Sequence, residues 1–368
     1  MTRRKKVLSA VLVVLVVAVG VLAHILSHDG PCGLAPPVAP GTQTMKAIVY
    51  RCYGSPQVVK LEEIPKPTLA DDRILVRVHA ASVNPLDWHY MRGKPYLVRP
   101  MAGLGVPKDI RLGVDFAGTV EAVGKQVTQF KPGDDVFGGA DGAFAEYVTP
   151  RAKGSVVLKP ANITFEQAAA VPVAAITALQ ALRDQGKLQA GQKVLVNGAS
   201  GGVGTFAVQI AKALGADVTG VCSARNVAMV QALGASHVID YTHEDFTRAP
   251  ERYDLIIDNV GSHSASDYLR VLKPKGTLVI VGGSSNGAWI GGLWDALKAQ
   301  MLAPFVSQKI GFFLAKLNQD DLNYLATLMQ TGKVTPAIDR QYKLSDTAEA
   351  IRYVEAGHAR GKVIVDVE

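Results

Sequence analysis

Apolar and polar residues alternate with a period of two in short segments between Met45 and Val148, and glycine, proline and aspartate separate the segments. This alternation is typical of half-buried β-strands. It predicts an all-β, barrel-like region. The expected strands are Met45–Tyr50, Val58–Glu63, Ile74–Ala80, Thr119–Val123, Asp135–Phe137 and Ala143–Val148.

From about Ala168 onward, fully apolar segments alternate with amphipathic ones. Apolar strands between helices indicate a parallel sheet covered on both faces. The expected strands are Lys193–Asn197, Asp217–Cys222, His237–Asp240, Leu255–Asn259 and Thr277–Gly282. We also expect a helix at Ala168–Asp184, interrupted at Pro172, and another at Gln319–Thr331. A last strand, Gly361–Val367, is expected to return to the first region.

The N-terminus combines a basic segment, 1–6, with an uncharged apolar run at 7–26. About 20 helical residues at ~1.5 Å each match a hydrocarbon core of ~30 Å. The pattern predicts one transmembrane helix that anchors the protein in a membrane. A cleaved signal peptide is the alternative. Residues 27–44, which include four prolines, are expected to form an extended linker.

Length and composition narrow the function classes. A chain of 368 residues accommodates two domains. Its three cysteines are too few and too scattered for a disulfide framework or a four-cysteine zinc site. Four basic residues of the N-terminal segment supply +4 of the net charge of +7, which leaves a mildly basic remainder after Thr44. Since no basic run with interleaved aromatic residues follows, we expect no nucleic-acid partner.

A glycine-rich turn follows the strand Lys193–Asn197 and precedes a helical pattern at Thr205–Leu214. Glycines allow the backbone to approach a pyrophosphate, and the helix N-terminus offers unpaired N–H groups and a positive dipole. The sequence therefore predicts a dinucleotide-binding turn. Its residues are Ser200, Gly201, Gly202, Val203 and Gly204.

The end of the following strand predicts which dinucleotide binds. An NAD enzyme carries an acid about 20 residues after the glycines, where it holds the ribose 2′-hydroxyl. This chain has Ser223 and Arg225 there, and both suit a 2′-phosphate. The expected cofactor is NADPH. Asn226 either helps to bind it or caps the next helix.

Ordered motifs run through nearly all of 45–368 and resemble the medium-chain dehydrogenase/reductase superfamily. They are Ala81–Asp87, Leu112–Gly118, Lys131–Asp134, Ala170–Val173, the glycine turn, Ser223–Asn226 and Gly357–Lys362. The resemblance is to the zinc-free, zeta-crystallin-like quinone oxidoreductases and the alkenal/quinone reductases of plant chloroplast envelopes. It implies a GroES-like β-barrel catalytic domain at 45–170, a Rossmann domain with a doubly wound sheet at 171–310, and a C-terminal return at 311–368.

The resemblance also implies that no metal is bound. Asn84 stands where zinc-dependent relatives carry a cysteine ligand, and Val114 stands where they carry a histidine. Neither side chain is a usual zinc ligand. We therefore expect a mechanism without a metal-polarised alkoxide.

Further site residues are implied by the resemblance. The hydride-transfer site is expected to contain Asn84, Asp87, His89 and Tyr90. Asn84 would bond the ribose or the substrate carbonyl, and His89 or Tyr90 would supply a proton, directly or through water, or stack on substrate. Other cofactor-binding positions are Thr177, Tyr241, Asn259, Val281, Gly282 and Lys362. Tyr241 as a packing residue and Lys362 as a surface lysine are the alternatives.

These features predict a membrane-anchored, NADPH-dependent reductase of quinones or α,β-unsaturated carbonyls, acting on a lipophilic substrate. An alcohol dehydrogenase and a non-catalytic NADPH-binding module are the alternatives. The apolar stretch 294–313 predicts a homodimer interface or a wall of the substrate pocket. The basic N-terminus favours the cytoplasm, which would place the enzyme across the membrane from most NADPH. The sequence leaves the membrane side open.

Overall fold

The structure is a computed structural model that describes residues 3–283 and 287–367. Residues 1 and 2 of the predicted basic segment lie outside the described residues. The first elements, short 3₁₀ turns aside, are α1 (Arg3–Ser27), β1 (Thr44–Val49), β2 (Lys60–Pro65), β3 (Ile74–Val83), α2 (Pro85–Arg92), α3 (Arg99–Ala102), β4 (Asp115–Val123), β5 (Asp135–Gly139), β6 (Tyr147–Val148), β7 (Val156–Leu158) and α4 (Phe165–Ala169).

The second half begins with α5 and continues the numbering. Its elements are α5 (Pro172–Leu179), β8 (Lys193–Asn197), α6 (Gly202–Ala213), β9 (Asp217–Cys222), α7 (Val227–Ala232), β10 (His237–Asp240), β11 (Tyr253–Asp258), α8 (Ala265–Val271), β12 (Leu272–Ile280), α9 (Leu293–Leu302) and β13 (Lys309–Phe312). The last are α10 (Gln319–Gln330), β14 (Ile338–Lys343), α11 (Thr347–Glu355) and β15 (Lys362–Asp366).

The prediction of a membrane anchor at 7–26 is wrong, and so is the membrane location that it implied. A helix that spans a bilayer needs about 20 predominantly apolar residues. Within residues 3–283 and 287–367, no helix is long and apolar enough to cross a membrane.

The first region forms a seven-stranded sheet in the order β14-β15-β3-β4-β5-β7, with β6 paired to β3. The terminal strand β15 pairs antiparallel with β3, so that Val363 lies opposite Val83. Apolar side chains of several strands, among them Ile74 and Phe116, meet in one buried cluster. This sheet brings the C-terminal Lys362 next to residues that precede it by almost 280 positions.

The second region is a six-stranded parallel sheet in the order β10-β9-β8-β11-β12-β13. Numbered within this sheet, the order is 3-2-1-4-5-6, the doubly wound arrangement of dinucleotide-binding folds. The middle of strand β8 is apolar because both of its faces are buried. Val194 and Val196 belong to one buried cluster, and Leu195 belongs to another. The predicted two-domain α/β architecture is therefore confirmed.

Two predicted elements differ in the structure, the strand at Ala143–Val148, which is limited to Tyr147–Val148, and the helix that follows the barrel. The helix expected at Ala168–Asp184 is divided into α4, α5 and a π-helical turn at Gln180–Gln185. Pro172 begins α5, because proline cannot donate a backbone hydrogen bond inside a helix but fits the first turn. The apolar stretch 294–313 contains α9 and the edge strand β13. Its role in a homodimer stays a prediction, as do the domain limits at 170 and 310.

The segment after α1 is fastened to the barrel, contrary to the expectation of an extended linker. Cys32 and Cys52 form a disulfide with their Cα atoms 4.6 Å apart. The buried guanidinium of Arg99 donates to the carbonyl of His28 at 2.9 Å and to the carboxylate of Asp29 at 2.6 Å. The sequence analysis missed this disulfide because the two cysteines carry no recognisable motif.

Candidate active site and nucleotide cleft

The glycine-rich turn joins β8 to α6 at the carboxyl end of the parallel sheet. Gly198 has a φ of 76°, a left-handed conformation that favours glycine. A Cβ at Gly204 would collide with the carbonyl oxygen of Gly198, so the turn and the first helical residues can pack only without a side chain there. A Cβ at Gly201, in contrast, would meet only that carbonyl oxygen, at 3.5 Å. The outer side of the turn is therefore open to a ligand, whereas Val203, in the first turn of α6, is partly buried against the apolar cluster.

Three predicted residues meet at the ends of β8 and β9. The side-chain amide nitrogen of Asn226 donates to the hydroxyls of Ser200 and Ser223, each at 3.1 Å. Asn226 is buried, whereas both serines are half-buried. Two turns that are separate in the sequence thus form one hydroxyl-lined surface.

Arg225 and Tyr241 lie at the exposed margin of this surface. The guanidinium of Arg225 is exposed and donates to the carbonyl of His358 at 3.4 Å. Tyr241 follows β10 and is 61% exposed, so it is not a buried packing residue. Its backbone N–H donates to the carbonyl of Cys222 at 3.1 Å, which holds it beside the end of β9.

The ends of β11 and β12 continue the same edge. The amide of Asn259 donates to the carbonyl of Asn197 at 2.9 Å. The backbone N–H groups of Val281 and Gly282 both donate to the carbonyl of Asp258, at 2.9 and 3.1 Å. Thr177 is half-buried on α5, and its hydroxyl donates to the carbonyl of Val173 at 2.6 Å.

A buried polar network lies on the barrel side of the cleft. The ammonium of Lys362 donates to the side-chain oxygen of Asn84 at 2.6 Å and lies 3.4 Å from the carboxylate of Asp115. The amide nitrogen of Asn84 donates to the same carboxylate at 2.9 Å and to the carbonyl of Ser82 at 3.3 Å. Lys362 is only 3% exposed, so it is not a surface lysine. Burial lowers the pKa of its ammonium, against the attraction of Asp115.

Asp115 was missed by the sequence analysis as a functional residue. It is fully buried at the start of β4, and its second carboxylate oxygen accepts from the backbone N–H of Val173 at 3.0 Å. The hydroxyl of Ser82 donates at 3.0 Å to the first oxygen, which also accepts from Asn84. One carboxylate therefore connects the barrel, α5 and Lys362. The available signal was an acidic residue directly before the apolar residues Phe116 and Ala117 at the start of this strand.

Asp87 belongs to the turn that starts α2. Its carboxylate accepts from the backbone N–H of Asn84 at 2.8 Å and from that of Gly113 at 3.1 Å. Asn84 and Asp87 form a capping box, which explains why the helix begins at Pro85. Burial raises the pKa of the Asp87 carboxyl to about 7, although the two N–H bonds oppose the shift. The two N–H bonds hold Asp87 in this turn, and its role at the hydride-transfer site stays a prediction.

His89 and Tyr90 project from α2. The Nδ1 atom of His89 lies 2.8 Å from the carbonyl oxygen of Lys94, and its ring stacks on Trp88 with centroids 3.5 Å apart. Burial lowers the pKa of the His89 imidazole. Tyr90 is 41% exposed. The catalytic roles assigned to both residues stay predictions.

Three features of the cleft fit a dinucleotide. The turn before α6 is open, the serines and Arg225 present donors, and the side-chain oxygen of Asn259 is buried without a hydrogen-bond partner within the described chain. The Cδ atom of Lys362 would lie 3.3 Å from a Cβ at Gly202, so the barrel network reaches the glycine turn. A ligand on the turn would meet both halves of the protein.

Comparison with known proteins gives matches over most of the chain. Residues 70–161 match the family described as alcohol dehydrogenase GroES-like domain, and residues 233–365 match the family described as zinc-binding dehydrogenase. A 2-methylene-furan-3-one reductase of Solanum lycopersicum is 33% identical over 336 residues, which cover 87% of this chain and 79% of that protein. The chloroplastic NADPH-dependent alkenal/one oxidoreductase of Arabidopsis thaliana is 33% identical, with the same two coverages.

A solved structure is similar over nearly the whole chain. The quinone oxidoreductase from Coxiella burnetii has a TM-score of 0.78 and 32% sequence identity, and the match covers 89% of this chain and 100% of that chain. Its similarity includes both the barrel and the parallel sheet, because neither half alone would account for that coverage.

Proposed function

This chain belongs to the medium-chain dehydrogenase/reductase superfamily, and we propose that it transfers hydride from NADPH to an α,β-unsaturated carbonyl compound or a quinone. The predicted family and the predicted class of enzyme, an NAD(P)H-dependent reductase, are confirmed by the relatives. The proposal concerns the choice of NADPH by this cleft and the class of acceptor.

One observation carries the choice of cofactor. The turn after β9 presents Ser223 and Arg225 and has no acid at the position that would hold a ribose 2′-hydroxyl. An exposed guanidinium offers two parallel donors to a phosphate, and such charge-assisted bonds are stronger than neutral ones. Tyr241, exposed beside the same turn, would flank the 2′-phosphate.

The relatives and the barrel network support the acceptor class. Bound NADPH supplies the hydride, and the protein has to orient it toward the carbon that is reduced. Thr177, Asn259, Val281 and Gly282 would hold the ribose and nicotinamide end. Asn84 and Lys362 would fix the opposite wall, because their polar atoms are already bonded to each other and to Asp115. His89 and Tyr90 remain the proposed sources of the proton that completes the reduction.

We further propose that the reaction needs no zinc. The positions that the resemblance assigns to zinc ligands are Asn84 and Val114, which are poor ligands for this metal. Across the residues for which the structure gives side chains, no group of three or more His, Cys, Asp or Glu is placed to hold a metal ion.

The proposed function is tested by offering the full chain a panel of hydride acceptors. NADPH is mixed with alkenals, enones and quinones, with and without a zinc chelator, and nicotinamide absorbance is followed. We expect oxidation with at least one of these classes at a rate that the chelator does not change. Tight NADPH binding without oxidation across the panel would favour a binding module. Oxidation of primary alcohols with NADP⁺ and added zinc would favour an alcohol dehydrogenase.

A further inference from the structure

Asn226 connects two parts of the nucleotide cleft, and one of them, at Ser200, lies 26 residues before it in the sequence. Its amide nitrogen donates one hydrogen to Ser200, in the glycine turn after β8, and the other to Ser223, in the turn after β9. The residue is 4% exposed, so water does not compete for these bonds. Both donors of one amide are thus committed to the two hydroxyls.

An asparagine that precedes a helix usually caps it, but the side chain of Asn226 does not. Asn226 directly precedes α7, yet its side chain makes no capping hydrogen bond to that helix. Its side-chain oxygen is buried without a hydrogen-bond partner among the described residues. An unpaired buried acceptor costs stability. The amide is therefore better explained by what its two N–H groups do.

These N–H groups determine the direction in which the serine hydroxyls can donate. A hydroxyl has one hydrogen and two acceptor lone pairs. When Asn226 fills a lone pair on each serine oxygen, the hydroxyl hydrogen turns away from the amide. Ser200 and Ser223 are half-buried, so their hydrogens can point toward a ligand on the open side of the cleft. Both hydroxyls are then oriented as donors to anions.

We propose that Asn226 is a positioning residue that orients Ser200 toward the pyrophosphate and Ser223 toward the 2′-phosphate at the same time. The inference rests on the proposed binding of NADPH and adds to it a specific source of selectivity. NADPH uses both hydroxyls, whereas NADH, which lacks the 2′-phosphate, uses only that of Ser200. Asn226 therefore contributes more to NADPH affinity than to NADH affinity.

The substitution Asn226→Asp tests the direction of these bonds. A carboxylate can only accept, so it would turn both hydroxyl hydrogens inward and place a negative charge near two phosphates. We expect the Kd for NADPH to rise about 10–100-fold and the preference for NADPH over NADH to fall. Asn323→Asp adds the same charge at an exposed position of α10 and should leave both affinities unchanged.

A second set of variants separates orientation from packing. Asn226→Ala is compared in the wild type and in the Ser200→Ala/Ser223→Ala background, with thermal unfolding measured for every protein. If Asn226 acts through the serines, its removal should weaken NADPH about 3–10-fold in the wild type and less than about twofold in the double variant. If Asn226→Asp proves unstable, the comparison of Asn226→Ala in the two backgrounds still tests the inference.

The outcomes distinguish the inference from the proposed function. If the wild type prefers NADPH but Asn226→Asp retains that preference, the inference is wrong and the proposed function stands. An equal loss from Asn226→Ala in both backgrounds likewise overturns the inference, because the amide would then act through packing. If the wild type binds NADPH no better than NADH, the proposed cofactor choice fails, and the inference fails with it.

Discussion

The two sides of the cleft satisfy their polar groups in different ways. On the nucleotide side, Ser200, Ser223 and Arg225 are half-buried or exposed, with donors that can reach a ligand. On the barrel side, Asn84, Asp115 and Lys362 are buried and bonded to one another. The nucleotide side is arranged for a partner that arrives from solution, whereas the barrel side is already balanced within the protein.

This difference separates the expected effects of substitution. Removing an exposed donor leaves no buried charge behind, so it should change ligand affinity with little change in stability. Removing one member of a buried ion pair leaves the other without compensation, which is strongly destabilising. Substitutions on the nucleotide side should therefore change cofactor selectivity, and those on the barrel side should change stability and turnover.

The largest effect is expected from Lys362→Met. The change leaves the carboxylate of Asp115 buried without its cation, and breaking such a pair costs about 3–5 kcal/mol. Urea unfolding should show this loss, and turnover with any acceptor should fall. Lys153→Met, at an exposed position, serves as the control. Unchanged stability in Lys362→Met would mean that the network is not the buried pair described above.

The pH dependence of stability should report on Asp87. Its folded-state pKa of about 7 lies above the ordinary value of 3.8, so the native protein keeps a proton that the unfolded chain has lost. Between these values the unfolded state binds fewer protons, and the free energy of unfolding falls as the pH rises, by about 4 kcal/mol in total. Asp87→Asn should remove this fall, while the exposed Asp141→Asn should not.

Near pH 4 the Asp87→Asn variant and the wild type should be close in stability, since the native carboxyl is then protonated and uncharged. Equal pH profiles for the two proteins between pH 4 and 7 would show that burial does not raise the pKa of Asp87.

A smaller effect is expected outside the cleft, at the disulfide. Cys32→Ser/Cys52→Ser opens a covalent loop whose ends are 20 residues apart, and a loop of this size contributes about 3 kcal/mol. The free energy of unfolding should fall, but the ratio of the NADPH and NADH dissociation constants should not. A changed ratio would indicate that cofactor selectivity depends on the stability of the whole protein. The separation between the two sides of the cleft would then be wrong.

The sequence predicted the nucleotide side in more detail than the barrel side. The apolar strand at 193–197, the glycine turn and the residues after β9 are local patterns, and the structure brings them together as expected. The barrel network depends on contacts between distant positions, such as the one between Asn84 and Lys362. No periodicity records that contact. The resemblance pointed to both residues but not to Asp115, which connects them.

Other features were missed for the same reason. Cys32 and Cys52 meet only because the segment after α1 folds back onto the barrel. The capping box of Asn84 and Asp87 has Asn and Asp where the familiar pattern has Ser or Thr and Glu or Gln. The apolar run at 7–26 predicted a membrane anchor, which the described helices do not support. Hydropathy considered without tertiary contacts gave this wrong prediction.

The central claim is that the nucleotide side selects NADPH through its 2′-phosphate. The direct test is the ratio of the Kd values for NADPH and NADH in the wild type, in Arg225→Ala, and in Arg248→Ala, whose arginine side chain is 81% exposed. We expect Arg225→Ala to weaken NADPH about 10–100-fold, the equivalent of about 1.5–3 kcal/mol, and to leave NADH and the control nearly unchanged. An equal loss for both cofactors in Arg225→Ala would contradict the claim.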